Sequence, residues 1–209
     1  MVDPVNVTNS SRTQYGLEEF ALFSICVANK PALRIAKLLD KLLKSRPGKL
    51  PFKKLENLSV DEIIELVKSS KMGCHTMKGR GIHQLVNKGL DLRSCSAEDL
   101  EEVCGIGKKT SRFFLLHSRE GQQCIPLDTH ILKFLRDKRV KGVPDSTPSS
   151  AKKYAELEGK ALKYAKKWEM TPAQFDLTVW RHYSGNGAAN EAFSLPEIHA
   201  VGKTSRRRQ

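Results

Sequence analysis

Residues 103–130, VCGIGKKTSRFFLLHSREGQQCIPLDTH, leave little freedom in how this part of the chain is built. Gly105 and Gly107, one residue apart, interrupt a helical pattern, and two glycines allow a sharp turn that brings backbone N–H groups close to an anion. The basic run K-K-T-S-R then opens a second helix, so the turn sits at a helix N-terminus, where partial positive charge favours phosphate. Such a contact reads a nucleic-acid backbone and not its bases. Lys109 stands just inside that helix and offers an amine, a nucleophile once deprotonated. Asp128 follows nineteen residues later, a carboxylate able to stabilise a developing cation or, more plainly, to cap the helix that starts at Thr129.

The rest of the pattern is helical. Apolar residues recur at helical spacing over 17–28, and Pro31 opens a second helix that ends before Arg46-Pro47-Gly48. Residues 46–58 read as a connector. Ser59 with Glu62 forms a capping-box pattern for a helix to about Lys68, and a further helix is expected over 80–87. Ser96 with Asp99 starts a short helix to Cys104, Gly105 to Lys108 is the hairpin, and helices follow over 109–118 and 129–137. A Pro, Gly and Ser-rich loop at 138–149 precedes helices over 150–167 and 172–183. No strand alternation and no internal repeat is present, which predicts an all-α fold, two-lobed, with a cleft between the lobes. The expected organisation is a polar N-terminal segment at 1–16, a helical domain at 17–185 with its hairpin at 97–118, and a basic tail at 186–209.

Thirty-six lysines and arginines face 23 acidic residues, a net charge of +13, which favours a polyanionic partner, chiefly nucleic acid. No apolar run reaches the roughly 20 residues that cross a bilayer, and the polar N-terminus has no signal-peptide core, so an intracellular protein without membrane contact is expected. The cysteines, Cys26, Cys74, Cys95, Cys104 and Cys124, make no C-x-x-C pair. That scatter argues against a disulfide framework, a zinc site and an iron–sulfur cluster.

The stretch GIGKKTSRFFLL…IPLDTH resembles the motif of the helix–hairpin–helix DNA glycosylases, the endonuclease III-like superfamily: Leu-x-Gly-Val-Gly-x-Lys-Thr-Ala, a spacer, then Val-Asp-x-His. Chain length, the lack of cluster cysteines and FDLTVWRHYSG at 175–185 resemble the short archaeal-type 8-oxoguanine DNA glycosylase/AP lyases. The resemblance spans roughly 17–185, and its specific part is 103–130. It implies that Lys109 and Asp128 are catalytic. It further implies that Gly105, Gly107, Lys108, Thr110, Arg112 and His130 contact DNA, with Lys108 either on a phosphate or solvated. Asn29, in CVANKPALRIAKLL, matches a position that reaches the space left by a flipped base, or is an interhelix cap.

The chemistry implied is base flipping into a pocket, attack of the Lys109 amine on C1′ with Asp128 stabilising the sugar cation, and β-elimination from the resulting imine. Burial and the neighbouring cations Lys108 or Arg112 are expected to ease loss of the Lys109 proton. Trp180, Phe175 and His75 are the pocket candidates, although aromatic residues at helical spacing are more often core. GCHTMKGRG at 73–81 lacks the aromatic residue of the archaeal class, and the chain runs on to Gln209. These departures keep a modified pyrimidine beside 8-oxoguanine as the excised base. A monofunctional glycosylase and a non-catalytic DNA-binding module stay open as alternatives. The expected partner is double-stranded DNA carrying a damaged or modified base, met by a DNA-associated monomer. No resident cofactor is expected, apart from room for a monovalent cation at the hairpin–phosphate contact.

Overall fold

The structure is a computed structural model that describes residues 1–28 and 30–184; Asn29 and the expected basic tail lie outside the described residues. The described residues form nine helices and no strand. In chain order they are α1 (Gln14–Cys26), α2 (Ala32–Lys44), α3 (Val60–Ser69), α4 (His75–Asn87), α5 (Ala97–Glu101), α6 (Lys108–Ser118), α7 (Thr129–Asp137), α8 (Ala151–Lys167) and α9 (Pro172–Tyr183). No helix among the described residues is long and apolar enough to cross a membrane.

Two hydrophobic cores account for the two lobes. The larger gathers Phe20, Leu39, Ile63, Leu85, Leu100 and Phe114 from α1 to α6. The smaller joins Ile125 and Leu127 to Leu132, Tyr154, Phe175 and Val179 of α7, α8 and α9. Helix α1 differs from the one-sided helix that its spacing suggests. Every residue from Leu17 to Cys26 is buried, as expected of a helix at the centre of a lobe. Its buried Glu18 is held there by the Phe52 N–H at 2.8 Å and the Gln14 amide at 2.9 Å.

Capping sets most helix starts. Ser59 with Glu62, Ser96 with Asp99 and Thr171 with Gln174 are reciprocal capping boxes. Helix α4 begins earlier than the expected 80–87 because its glycines serve packing and do not end the helix. A Cβ at Gly79 would meet the Ile64 backbone at 2.8 Å, and one at Gly81 would lie 2.2 Å from the Cys104 carbonyl oxygen. Helix α4 is thus pressed against α3 on one side and against the 104–107 turn on the other. Within it, the fully buried Lys78 donates to the carbonyls of Cys26 at 2.6 Å and Met72 at 3.0 Å, which ties off the C-terminus of α1.

The segment before α1 is part of the fold and not a loose polar extension. Val2 and Val7 are buried. Arg181 of α9 donates to the Val5 carbonyl at 2.8 Å and to Asn6 Oδ1 at 3.1 Å, and the Asn9 N–H reaches the His117 carbonyl at 3.0 Å. The chain therefore starts by running across the junction of the two lobes. Composition could not reveal this, because the bonds join residues more than a hundred positions apart in sequence.

Candidate functional site

A cavity of about 840 Å³ opens between the lobes. Its wall is drawn mainly from the N-terminal segment, the loop from α1 into α2, the start of α6, the residues around Asp128, and α9. Lys109 and Asp128 both line it, joined by His130 and Trp180. Residues far apart in sequence are thus brought to one chamber.

The turn that carries Lys109 is built as the sequence suggests. Gly105 has φ +80°, a left-handed conformation suited to glycine, and Gly107 is the N-cap of α6 in extended conformation. Around Gly107 a Cβ would meet nothing within 4 Å, so an anion can approach the free N–H groups of the first turn. Lys109 is the second residue of α6, and its Nζ lies 4.9 Å from the centre of the Phe113 ring one turn on.

Asp128 has two attachments. It is the N-cap of α7, accepting through Oδ1 from the N–H groups of His130 and Ile131, both at 2.9 Å. The same residue lines the cavity. Burial pushes this carboxyl above the ordinary carboxylate value; the negative charge of Asp176 adds to the rise, while Lys109, the Ile131 N–H and His130 oppose it. The cap and the catalytic candidate are therefore one side chain.

Two residues of α8 hold the backbone that leads into Asp128. The Tyr154 hydroxyl accepts from the Leu127 N–H and donates to the Ile125 carbonyl, both at 3.0 Å. Glu158 accepts from the Ile125 N–H at 3.0 Å. Glu158 also faces Arg112 of α6 at 3.6 Å, and Arg112 bonds Glu101 of α5. Burial works to raise the Glu101 carboxyl, but Ser111, Lys108 and Arg112 together hold it below its ordinary value.

These contacts show where the sequence-predicted residues stand. Arg112 is committed to Glu101 and Glu158 inside the protein, so its guanidinium is not a free phosphate ligand. Lys108 leans on Glu101 at 3.2 Å and is neither simply solvated nor aimed at the cavity. The Thr110 side chain is buried, which leaves its backbone N–H as the group it can offer at the helix start. Phe175 is fully buried among Phe134 and Trp168, with ring centres at 5.3 and 5.5 Å, and belongs to the core. His75 is exposed at the start of α4, and it is not among the residues that line the cavity. Asn29 falls outside the described residues, between neighbours Ala28 and Lys30 that line the cavity.

Residues that sequence reasoning missed complete the chamber. Phe113 is a wall, and its spacing of four from Lys109 on a helix was the available signal. Asp176 of α9 lines the cavity and bonds His117 of α6, Oδ2 to Nε2, at 2.9 Å. It stands four residues before Trp180, so both fall on one face of α9. Among the described residues no group of three or more His, Cys, Asp or Glu side chains is placed to hold a metal ion.

No protein-family model and no curated protein matches the chain. Solved structures do match. The 8-oxoguanine DNA glycosylase of Thermotoga maritima superposes with a TM-score of 0.64 at 22% identity, over 83% of this chain and 82% of that one. The Methanocaldococcus jannaschii 8-oxoguanine glycosylase/lyase, in complex with 15mer DNA containing 8-oxoguanine, gives 0.65 at 18% identity and covers 87% of both chains. A Clostridium acetobutylicum 8-oxoguanine glycosylase/lyase, bound to double-stranded DNA with cytosine opposite the lesion, gives 0.61 at 16%, over 82% of this chain and 60% of that one. The chain shares their all-helical fold.

Proposed function

We propose that this protein is a DNA glycosylase with AP lyase activity, acting as a monomer on double-stranded DNA, with 8-oxoguanine the first base to test. One observation carries the reading: Lys109, at the N-terminus of a helix that a glycine turn leaves open to phosphate, shares a cavity with Asp128. The shared fold with proteins named as 8-oxoguanine glycosylase/lyases supports it and supplies the choice of first substrate. The cavity is open to a base only if that base leaves the duplex stack. Phe113 and Trp180, both on its wall, offer apolar faces for the extruded ring, and Asp176 offers an acceptor for ring N–H groups.

In the proposed reaction the glycosidic bond breaks and the base leaves with its electron pair. Positive charge grows on the sugar and meets the ionised Asp128. The neutral Lys109 amine bonds to C1′; one of its two N–H protons passes to the departed base and the other to O4′ as the C1′–O4′ bond breaks, which leaves an open-chain imine. A proton removed from C2′ then drives departure of the 3′ phosphate. The scheme uses this chain's own groups, with a monovalent cation at the hairpin–phosphate contact as the one addition we place there.

A panel of duplexes, each with one lesion, assayed for base release with and without alkali, tests substrate and lyase activity together. Borohydride is expected to trap a covalent adduct with wild-type protein and none with Lys109→Gln. Base release that survives in Lys109→Gln would instead mean a water-using, monofunctional enzyme. Salt-sensitive duplex binding with no release from any lesion would reduce the protein to a DNA-binding module.

A further inference from the structure

We infer that Thr8 and His117 are positioning residues that hold the Asp176 carboxylate in place, so that the segment before α1 is a working part of the catalytic chamber. This rests on the function proposed above. His117 is fully buried, and both its ring nitrogens are engaged: Nε2 faces Asp176 Oδ2 at 2.9 Å, and Nδ1 faces Thr8 Oγ1 at 2.7 Å. Because a carboxylate only accepts, Nε2 must carry a hydrogen. The Thr8 hydroxyl answers the other nitrogen, donating to a neutral ring or accepting from a charged one. Thr8 is kept at that place by its neighbours, since the Asn9 N–H bonds the His117 carbonyl at 3.0 Å and Arg12 bonds the Val7 carbonyl.

Restraint of Asp176 has a chemical purpose. Asp176 is 7% exposed and lines the same cavity as Lys109 and Asp128. Lys109 lines the same cavity, and a salt bridge between a freely rotating carboxylate and its ammonium would remove the amine from attack. His117 occupies Oδ2 and so restrains the rotation that such a pairing would need. Two carboxylates and one lysine then divide their work: Asp128 faces the sugar, Asp176 faces the base, and Lys109 stays available.

The test is a double-mutant cycle read by single-turnover base release and borohydride trapping. Thr8→Val keeps the shape and removes the hydroxyl; it is expected to lower kcat about tenfold with KM changed less than about twofold, the pattern of a misplaced catalytic group. Thr8→Ser is expected to recover most of that rate. In the Asp176→Asn background Thr8→Val should cost nothing more, because the carboxylate it serves has gone. A Thr8→Val protein as fast as wild type, or losses that multiply independently, overturns the inference. The carboxyl ¹³C signal of Asp176, identified by its absence in Asp176→Asn, decides the matter without activity. It should move in Thr8→Val, and an unmoved signal also overturns the inference. A wild-type protein that neither releases bases nor traps would defeat the glycosylase reading, while this signal still judges the relay.

Discussion

Asp128 joins a helix cap and the proposed catalytic carboxylate in one side chain. Asparagine caps a helix about as well as aspartate, so Asp128→Asn keeps an acceptor for the His130 and Ile131 N–H groups while removing the negative charge. Base release should fall by at least about a hundredfold, as for loss of a group that stabilises transition-state charge. Stability should not fall. Because the folded protein holds this carboxyl above its ordinary value, ionisation costs the native state at neutral pH, and the neutral variant escapes that cost. Its Tm should equal or exceed that of wild type near pH 7, and the difference should vanish below about pH 4, where the aspartate is protonated folded and unfolded alike. Activity of the wild type should decline as the pH falls through the raised value. Thermal melts and rate profiles across pH check both halves, and a large loss of Tm in Asp128→Asn would contradict the charge argument. Lys109 and Asp128 were readable in sequence because glycine turn, amine and carboxylate lie close together along the chain. Asp176 and His117 were not, since their meaning comes from a hydrogen bond across fifty-nine residues of sequence.

At the level of elements, the glycines separate packing from binding. Gly81→Ala would force a methyl to within 2.2 Å of the Cys104 carbonyl oxygen and push α4 off the turn. A loss of about 3 kcal/mol is expected from such overpacking. Gly107→Ala meets no atom within 4 Å and should lose only about 1 kcal/mol, from a poorer N-cap. Its methyl instead occupies the approach to the first-turn N–H groups, so duplex affinity should drop while the fold persists. Denaturant titrations and binding isotherms on the two variants would show opposite orders of damage. The same glycines explain where the sequence misled. Gly79 and Gly81 both lie inside α4, which begins at His75 and not near the expected residue 80. The capping boxes at Ser59 and Ser96 were legible because each is a local exchange of two bonds. The commitments of Arg112 to Glu101 and Glu158 were not, because they tie α6 to α5 and α8. Tyr154 and Glu158 were equally silent, yet they fix the backbone from Ile125 to Leu127 that aims Asp128.

For the molecule as a whole, the net charge of +13 sets how binding responds to salt. With about six phosphates neutralised, affinity for a duplex should fall roughly a thousandfold between about 50 and 200 mM salt. A nearly flat dependence, measured by anisotropy across that range, would remove the electrostatic basis of the DNA reading. The two-lobed helical architecture was expected from unbroken helical periodicity and the absence of strand alternation, and the two separate cores bear it out. The crossing of the N-terminal segment was not foreseeable, since Arg181 reaches mainly a backbone carbonyl there. The cavity itself has a practical consequence. At about 840 Å³, with aromatic and apolar walls and a few fixed polar groups, it falls within the size range of ordinary small-molecule sites. A free heterocycle can therefore enter it without a duplex attached. On the proposed function, a released base would compete with the next lesion, and flat amine-bearing heterocycles are the compounds to test as inhibitors that owe nothing to DNA mimicry.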